Sequence, residues 1–314
     1  MTVTEFELIS QYINSQSLSR SDVLEGIGDD CAILKVPENK SLAISMDTLV
    51  EGVHFPVNTS AYSIGYKSLA VNLSDLAASG AKPAWASLSL TMPESDEKWL
   101  KCFLDGFFAL AKQFNVQLVG GDTTHGPLSI SVQAHGFVQQ PLLRSGANDG
   151  DLIYVSGYLG DAAAGFDLFS ANDIKHKACL ERFKQPLPRI ELGLAISDIA
   201  TSCIDISDGL VSDLGHICQR SQCGAEISLA AIPLSEAFVQ YFKQPAYDKA
   251  LGFGDDYEIC FTVAEDKKEV VKHIAERLNL KLSCIGAIVS DKEIRFIDSD
   301  NNKVEIKKGY EHFT

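Results

Sequence analysis

The sequence predicts an α+β protein of two domains. Its 314 residues are more than one core usually holds, since single hydrophobic cores stop growing at about 250–300 residues. The first half carries the order ββαβαββ, which differs from the strict strand-helix alternation of a doubly wound sheet. A polar, glycine-rich stretch over residues 144–150 precedes a second run of strands and helices. We therefore expect an N-terminal domain over residues 1–145 and a C-terminal α/β domain over residues 146–314.

The elements of the N-terminal domain are predicted from apolar periodicity. An amphipathic helix over residues 5–18 leads the chain, and Ser95 is a candidate N-cap for a later helix. Asp47 is expected to stand at the end of a strand, and residues 120–124 are expected to form a loop between two strands. The predicted elements are strands 31–36 and 42–46, helix 62–79, strand 84–91, helix 95–115, and strands 116–119 and 128–138.

The C-terminal domain is predicted in the same way. Its glycine-bearing loop over residues 157–161 has two readings. The glycines expose a helix N-terminus to a phosphate group, or they let a strand and a helix pack closely. The predicted elements are strand 152–155, helix 162–169, strand 202–206, helix 210–221, strand 257–263, helix 266–278, and strands 282–289 and 294–297.

The composition and net charge argue against several classes of binding partner, metal site and cellular location. A net charge of −15 argues against nucleic acid and against an anionic membrane surface, because both attract basic proteins. No apolar stretch approaches the roughly 20 residues of a membrane span, and the N-terminus lacks the pattern of a secretory signal. The eight cysteines are scattered without a CxxC pair, which favours reduced thiols in a cytoplasmic protein over a zinc site.

Aspartates recur in short motifs beside Gly, Ser or small apolar residues, with no adjacent Lys or Arg. Two carboxylates about 4 Å apart repel by roughly 4 kcal/mol at an effective dielectric near 20, so a converging set needs a cation. Mg²⁺ prefers such oxygen ligands. The alternative is a series of separate turn and cap aspartates. The motifs are Gly28-Asp29-Asp30, Ser45-Met46-Asp47, Asn72-Leu73-Ser74-Asp75, Gly120-Gly121-Asp122, Asp205-Ile206-Ser207-Asp208 and Gly254-Asp255-Asp256.

Several common catalytic motifs are absent from the sequence. There is no GxxxxGK[ST] phosphate loop, no complete dinucleotide fingerprint, and neither GxSxG nor HExxH. The histidines are isolated, and only His54 lies in a polar loop close to an aspartate motif, that of Asp47. Metal-assisted chemistry on phosphate groups is the reaction class that remains.

The motifs together resemble the thiamine-monophosphate kinase family, which is grouped with aminoimidazole ribonucleotide synthetase and selenophosphate synthetase. The resemblance implies a two-domain PurM-like fold whose N-terminal ββαβαββ domain dimerises through its sheet. It also implies transfer of the ATP γ-phosphoryl group to thiamine monophosphate, assisted by several Mg²⁺ ions. The matching segments are Gly26–Ala32, Ser45–Phe55, Ala70–Ala78, Gly120–Thr124, Ile204–Leu210, Ile285–Gly286 and Gly309–Phe313.

The resemblance also implies roles for individual residues. Two positions depart from the family pattern: Met46 stands where Thr is usual, and Asp255 stands where Glu is usual. Near Asp255, Phe253 also replaces a glycine. The implied metal-binding positions are Asp30, Ser45, Met46, Asp47, Asp75, Asp122, Asp205 and Asp208. The implied ATP contacts are Gly121, Asp122, Arg144 and Ser207. The implied thiamine-phosphate contacts are His54, Asp255 and Phe313.

Three other functions remain open at this point. A related synthetase would use a different phosphate acceptor, a metal-dependent phosphohydrolase would activate water, and a non-catalytic protein would bind nucleotide without turnover. The kinase reading fits the lack of a visible general base. A phosphate acceptor has a second pKa near 6 and already bears ionised oxygens at neutral pH.

Overall fold

The computed structural model describes residues 18–307, and these form two compact units. The first unit runs to Leu76 and continues over Ala81–Gln139, and the second comprises Ala77–Gly80 and the chain from Gln140 onward. The domain boundary predicted after residue 145 stays a prediction. The predicted leading helix and the tail that contains Phe313 lie outside the described residues, apart from the last residue of that helix, Leu18.

The first unit is built on a four-stranded sheet. The strand order is β3-β6-β4-β5, in which only β4 and β5 are parallel, and β1 and β2 form a separate antiparallel pair. The order of long elements agrees with the predicted one, and β1 is an additional strand. The elements are β1 Val23–Glu25, β2 Ile33–Leu34, β3 Ser41–Val50, α1 Ala61–Ala78, β4 Lys82–Met92, α2 Glu97–Gln113, β5 Gln117–His125 and β6 Ser129–Val138.

Three local predictions in this unit are wrong. The segment 120–124 is not a loop but part of β5, because it pairs with β4 after a bulge at Ala86/Ser87. Asp47 lies within β3 rather than at its end, since the β-branched and apolar residues after it extend the strand. The N-cap of α2 is Asp96 and not Ser95, because the Asp96 side chain accepts hydrogen bonds from two backbone N–H groups.

Helices α1 and α2 cross at two glycines. A Cβ at Gly65 would lie 1.9 Å from the Phe103 carbonyl oxygen, and one at Gly106 would lie 2.0 Å from the Tyr62 carbonyl oxygen. Each helix therefore presents a glycine where the backbone of the other passes. Helix α2 places its apolar side toward the core, with its buried phenylalanines there, whereas α1 has 13 of its 18 residues buried. The position of α1 is thus fixed closely, which matters because α1 carries Asp75.

The second unit is built on a seven-stranded sheet of order β13-β12-β9-β11-β7-β10-β8, in which only β12 and β9 are parallel. The strand predicted from residue 257 begins instead at Ile259, because Tyr257 has a positive φ of 50°. The elements are β7 Leu152–Ser156, α3 Asp161–Ser170, α4 Lys177–Lys184, α5 Ile190–Ile196, β8 Ala200–Asp205, α6 Leu210–Ser221, β9 Gly224–Ser228, α7 Glu236–Phe242, α8 Tyr247–Gly252, β10 Ile259–Val263, α9 Lys268–Leu278, β11 Leu282–Val289, β12 Ile294–Ile297 and β13 Lys303–Val304.

Strand β10 occupies the interior of this sheet, and all five of its residues are buried. Its neighbours β7 and β8 carry the loops that follow Ser156 and Asp205, so both loops begin from a rigid and fully packed base. Of the helices described between residues 18 and 307, none is long and apolar enough to cross a lipid bilayer. Both units mix helices with largely antiparallel sheets, which confirms the predicted α+β class.

Candidate functional site

In the first unit, β3 and α1 bring three predicted residues together. Ser45 and Asp47 are two apart on β3, so they share one face of the strand. The Ser45 hydroxyl donates to the Asp75 carboxylate on α1, and the Asp47 backbone N–H donates to Asn72 Oδ1 at 3.2 Å. Asn72 is itself fixed, because its Nδ2 donates to the Ser68 carbonyl oxygen at 3.1 Å. We call Ser45, Asp47, Asn72 and Asp75 the β3–α1 cluster.

Met46 lies between these residues in sequence but on the opposite face of β3. Successive side chains of a strand point to opposite faces, and the Met46 side chain is 61% exposed. Its side chain therefore does not reach the β3–α1 cluster, and only its backbone is close to Asp47. If this position contributes a metal ligand, that ligand is the carbonyl oxygen.

Replacing Met46 with Thr should leave the Mg²⁺ dependence of the reaction almost unchanged, because the new hydroxyl would also face away from Asp47. The measurement is the Mg²⁺ concentration that gives half-maximal rate. A several-fold decrease in that concentration would contradict the geometry and would mean that a side-chain hydroxyl acts at this position.

The other predicted metal positions of the first unit lie in exposed turns or strands. The Asp30 N–H donates to the Asp29 carboxylate at 2.7 Å, and the Asp122 carboxylate accepts from the Thr123 N–H at 2.9 Å. Cross-strand pairing places Asp47 and Gly121 in one row across the sheet. Within residues 18–307, no three His, Cys, Asp or Glu side chains are arranged as a metal-binding group.

Gly121 is held by a close backbone contact. A Cβ at this position would lie 1.8 Å from the Leu88 carbonyl oxygen of β4, so no side chain fits there. The neighbouring Gly120 has open space instead, with nothing within 4 Å of a Cβ. The first of the two glycines is therefore not required by packing, whereas the second is.

His54 is fixed by the turn after β3. Its backbone N–H donates to the Val50 carbonyl oxygen at 2.9 Å, and its ring Nδ1 accepts from the Val50 N–H at 3.0 Å. An accepting Nδ1 carries no proton, so the neutral ring has its proton on Nε2. The ring therefore offers an N–H donor, which suits recognition of a phosphate oxygen.

In the second unit, the aspartates after β8 are close together. Asp205 ends β8 and is buried, and Asp208 follows in the turn before α6. The Asp208 N–H donates to Asp213 Oδ2 at 3.0 Å, and Asp213 is buried in the first turn of α6. Burial, followed by the charges of Asp205 and Asp208, raises the pKa of Asp213 to about 8, while the charge of Arg144 opposes the shift. The predicted positions Asp205, Asp208 and Arg144 are thus all close enough to act on the Asp213 carboxyl.

Sequence reasoning missed Asp213. It stands between the apolar residues Leu210 and Leu214, where a buried carboxyl group is exceptional. That exception is the signal that could have revealed it, because a buried acid in the first turn after an aspartate motif requires a polar partner. Here the partner is the backbone N–H of Asp208, which belongs to that motif.

The turn after β8 is also paired with the segment that precedes β10. The Asp255 N–H donates to the Ser207 carbonyl oxygen at 2.8 Å. A Cβ at Gly254 would lie 2.3 Å from the same oxygen, which explains the glycine. The structure therefore brings a predicted ATP contact, Ser207, next to a predicted thiamine-phosphate contact, Asp255.

The glycine-bearing loop after β7 is a packing feature. Asp256 accepts hydrogen bonds from Gly160 N–H at 2.8 Å and Ala162 N–H at 3.3 Å, so a carboxyl group of the chain itself occupies the N-terminus of α3. A Cβ at Gly160 would lie 2.7 Å from the Ala250 Cα atom. Close packing thus accounts for the glycine, and the alternative of phosphate binding at this helix is wrong.

The chain matches the family described as AIR synthase related protein over both domains. The N-terminal domain of that family matches residues 28–138, and the C-terminal domain matches residues 148–299. The thiamine-monophosphate kinase of Escherichia coli strain K12 is 46% identical, over 100% of this chain and 99% of its own length. That of Buchnera aphidicola from Acyrthosiphon pisum, strain APS, is 44% identical over the whole of both chains.

Solved structures agree with these sequence relatives. The crystal structure of thiamine-monophosphate kinase from Stenotrophomonas maltophilia K279a has a TM-score of 0.88 and 45% identity, covering 97% of this chain and 99% of that one. AaThiL complexed with AMPPCP and TMP has a TM-score of 0.80 and 31% identity, covering 98% and 97%. The predicted two-domain PurM-like fold is confirmed. Both in sequence and in structure, the chain belongs to the thiamine-monophosphate kinase family.

Proposed function

We propose that this chain transfers the γ-phosphoryl group of ATP to the phosphate of thiamine monophosphate, which gives thiamine diphosphate. The observation that carries the proposal is 46% identity over essentially full length to a thiamine-monophosphate kinase. A relative at 31% identity forms a complex with AMPPCP, a non-hydrolysable ATP analogue, and TMP. Both substrates are polyanions, and the chain itself has a net charge of −15, so cations must offset their repulsion.

The residues present fit Mg²⁺ as that cation. The β3–α1 cluster offers a hydroxyl, carboxylates and a carboxamide, all oxygen ligands of the kind that Mg²⁺ prefers. When bound, Mg²⁺ supplies charge neutralisation for the transferred phosphoryl group. We propose several Mg²⁺ ions. In the first unit, the residues that would hold them are Asp30, Ser45, Met46 through its carbonyl oxygen, Asp47, Asp75 and Asp122, and in the second unit they are Asp205 and Asp208.

The remaining residues bind and orient the substrates. Gly121, Asp122, Arg144 and Ser207 would contact ATP. His54 would donate from Nε2 to the acceptor phosphate, and Asp255 would face the thiamine, together with Phe313 from outside the described residues. No proton needs to be removed from the acceptor, because its phosphate is already ionised at neutral pH.

A substrate panel tests the proposal. The protein is incubated with ATP and Mg²⁺, alone and with thiamine monophosphate, free thiamine or other phosphate monoesters, and the products are separated. We expect thiamine diphosphate from thiamine monophosphate, and little product from free thiamine, whose alcohol needs a general base. Inorganic phosphate as the main product would indicate a phosphohydrolase, and preference for another monoester would indicate a related synthetase.

We also propose that two copies associate through the first unit's sheet. One face of edge strand β3 exposes Leu42, Ile44 and Met46, by 39%, 56% and 61% respectively. On neighbouring β6, the positions opposite Ile44 and Met46 are His135 and Gln133, both half-buried. Apolar residues concentrated on one exposed face favour contact with another protein. In a symmetric dimer, this edge strand would pack against the same strand of the second copy.

Replacing Ile44 with Glu should therefore shift the protein from dimer to monomer, because it places a charge at the centre of this apolar strip. The measurement is the molar mass by light scattering during size-exclusion chromatography. Ile174 is a matched control, since it is 81% exposed and lies in the second unit. If Ile44→Glu stays dimeric, or if Ile174→Glu dissociates equally, the sheet is not the interface.

We propose that the protein works in a reducing compartment such as the cytoplasm. All eight cysteines lie within the described residues, and all of them are free. Five are buried, and burial raises the thiol pKa of each of these five. Thiols of this kind are unreactive packing groups.

A further inference from the structure

The segment Gly254–Glu258 has an unusual backbone. Gly254, Asp255 and Tyr257 have positive φ values of 84°, 64° and 50°. For Asp this left-handed conformation is uncommon, and for a bulky residue such as Tyr it is a genuine outlier. Such a conformation persists only where the surrounding structure determines it, and it is concentrated at functional sites. The contacts on both sides of this segment must therefore hold it in this conformation.

On one side, the segment is paired with the turn that carries the metal and nucleotide positions. The Asp255 N–H donates to the Ser207 carbonyl oxygen, and the Tyr257 N–H donates to the Ile206 carbonyl oxygen, both at 2.8 Å. The Ile206 N–H donates back to the Glu258 carbonyl oxygen at 2.7 Å. Three backbone hydrogen bonds, one each at Asp255, Tyr257 and Glu258, thus connect this segment to Ile206 and Ser207, the residues between Asp205 and Asp208.

On the other side, the segment is held by the side chain of Glu258, which is completely buried. Its carboxylate accepts from Arg189 Nε at 2.6 Å and Ser156 Oγ at 2.5 Å, and it also accepts from Arg182. A Cβ at Gly157 would lie 2.2 Å from Glu258 Oε1, so the backbone there is shaped around this carboxylate. Two guanidinium groups and a hydroxyl therefore satisfy the buried carboxylate and hold the Glu258 side chain in one orientation.

We infer that Glu258 is a positioning residue that fixes the thiamine-phosphate side and the metal side of the second unit in one arrangement. It touches no reacting atom. It acts through its carbonyl oxygen on Ile206 and through the strained turn on Asp255. The inference rests on the proposed function for the roles of Asp255, Asp205 and Asp208, and it adds that one buried ionic network sets the position of all three.

The decisive variant is Arg189→Lys. Lysine keeps the charge that compensates the buried Glu258, but it loses the planar fork of the guanidinium group. We expect KM for thiamine monophosphate and the Mg²⁺ concentration for half-maximal rate to rise together, each by roughly tenfold, which is less than the ~10²-fold that a misplacement of about 1 Å can cost. Arg295→Lys is the matched control, because Arg295 also forms several ion pairs, with Asp291 and Glu293, but at the surface of β12.

A second readout needs no activity. In the metal-free protein, hydrogen exchange of the Ile206, Asp255 and Tyr257 amides should be faster in Arg189→Lys than in wild type, and unchanged in Arg295→Lys. A lower melting temperature with unchanged exchange at these amides, and with unchanged KM and Mg²⁺ requirement, would overturn the inference. If Arg189→Lys does not fold, Ser156→Ala removes one neutral donor from the same carboxylate and is judged by the same criteria.

The two proposals fail in different ways. If the wild-type protein does not phosphorylate thiamine monophosphate, the proposed function is wrong, whereas the exchange comparison still decides the positioning role of Glu258. If wild type is active and Arg189→Lys exchanges and reacts as wild type does, only the positioning role is wrong.

Discussion

Replacing Asp75 with Asn should lower kcat by about 10²- to 10³-fold, the scale typical of losing one electrostatic contact to a reacting group. Asp75 is a member of the β3–α1 cluster and accepts a hydrogen bond from the Ser45 hydroxyl of β3. Asparagine keeps the shape and one acceptor oxygen but loses the negative charge that attracts Mg²⁺ and offsets its positive charge. Asp47→Asn should behave in the same way, since Asp47 faces the same cluster.

The metal-free melting temperature separates the two readings of these aspartates. If Asp75 is a metal ligand, Asp75→Asn should melt at or above the wild-type temperature without Mg²⁺, because carboxylate repulsion is relieved. Asp105→Asn on α2 is the control, since Asp105 forms a surface ion pair with Lys101 at 2.8 Å. A strongly destabilised metal-free Asp75→Asn protein would show instead that Asp75 serves the fold.

Gly121→Ala should destabilise the first unit by about 3 kcal/mol, the upper end for overpacking, and should abolish most activity. The new Cβ would lie 1.8 Å from the Leu88 carbonyl oxygen, and the backbone cannot give way without breaking the pairing of β4 and β5. Asp122 follows directly, so any shift of the strand also moves a predicted ligand of metal and nucleotide. Thermal unfolding and kcat/KM for ATP measure the two effects.

Gly120→Ala provides the comparison within the same strand. Nothing lies within 4 Å of a Cβ at that position, so alanine should be accepted with wild-type melting temperature and activity. Equal tolerance of the two substitutions would mean that the close approach of β5 to Leu88 does not exist in solution. Equal damage would mean that the glycines act through backbone freedom rather than through space.

Long elements were predictable because each repeats its pattern over several turns or pairs. Helix α6, for example, spans Leu210–Ser221, as expected. Helices α4, α5, α7 and α8 were missed, because they have only six to eight residues and show too little periodicity to be recognised. The continuation of β5 through Gly120 and Gly121 was also missed, since paired glycines usually indicate a turn and here they allow close strand contact.

The aspartate motifs could be predicted as candidates, but their contacts could not. Ser45 reaches Asp75 across 30 residues, and Glu258 reaches Arg182 and Arg189 across 76 and 69. No local pattern encodes pairs so far apart. Asp213 was overlooked for a related reason, because its importance comes from being buried against the Asp208 backbone, which only the folded chain reveals.

Transfer of label from γ-labelled ATP tests the central claim most directly. The protein is incubated with labelled ATP, Mg²⁺ and thiamine monophosphate, and the label is followed in each product. Direct transfer predicts that the label appears in the terminal phosphate of thiamine diphosphate, one for each ADP formed, and that excess EDTA prevents it. Label released as inorganic phosphate, equal labelling of free thiamine, or transfer that persists in EDTA would contradict the account.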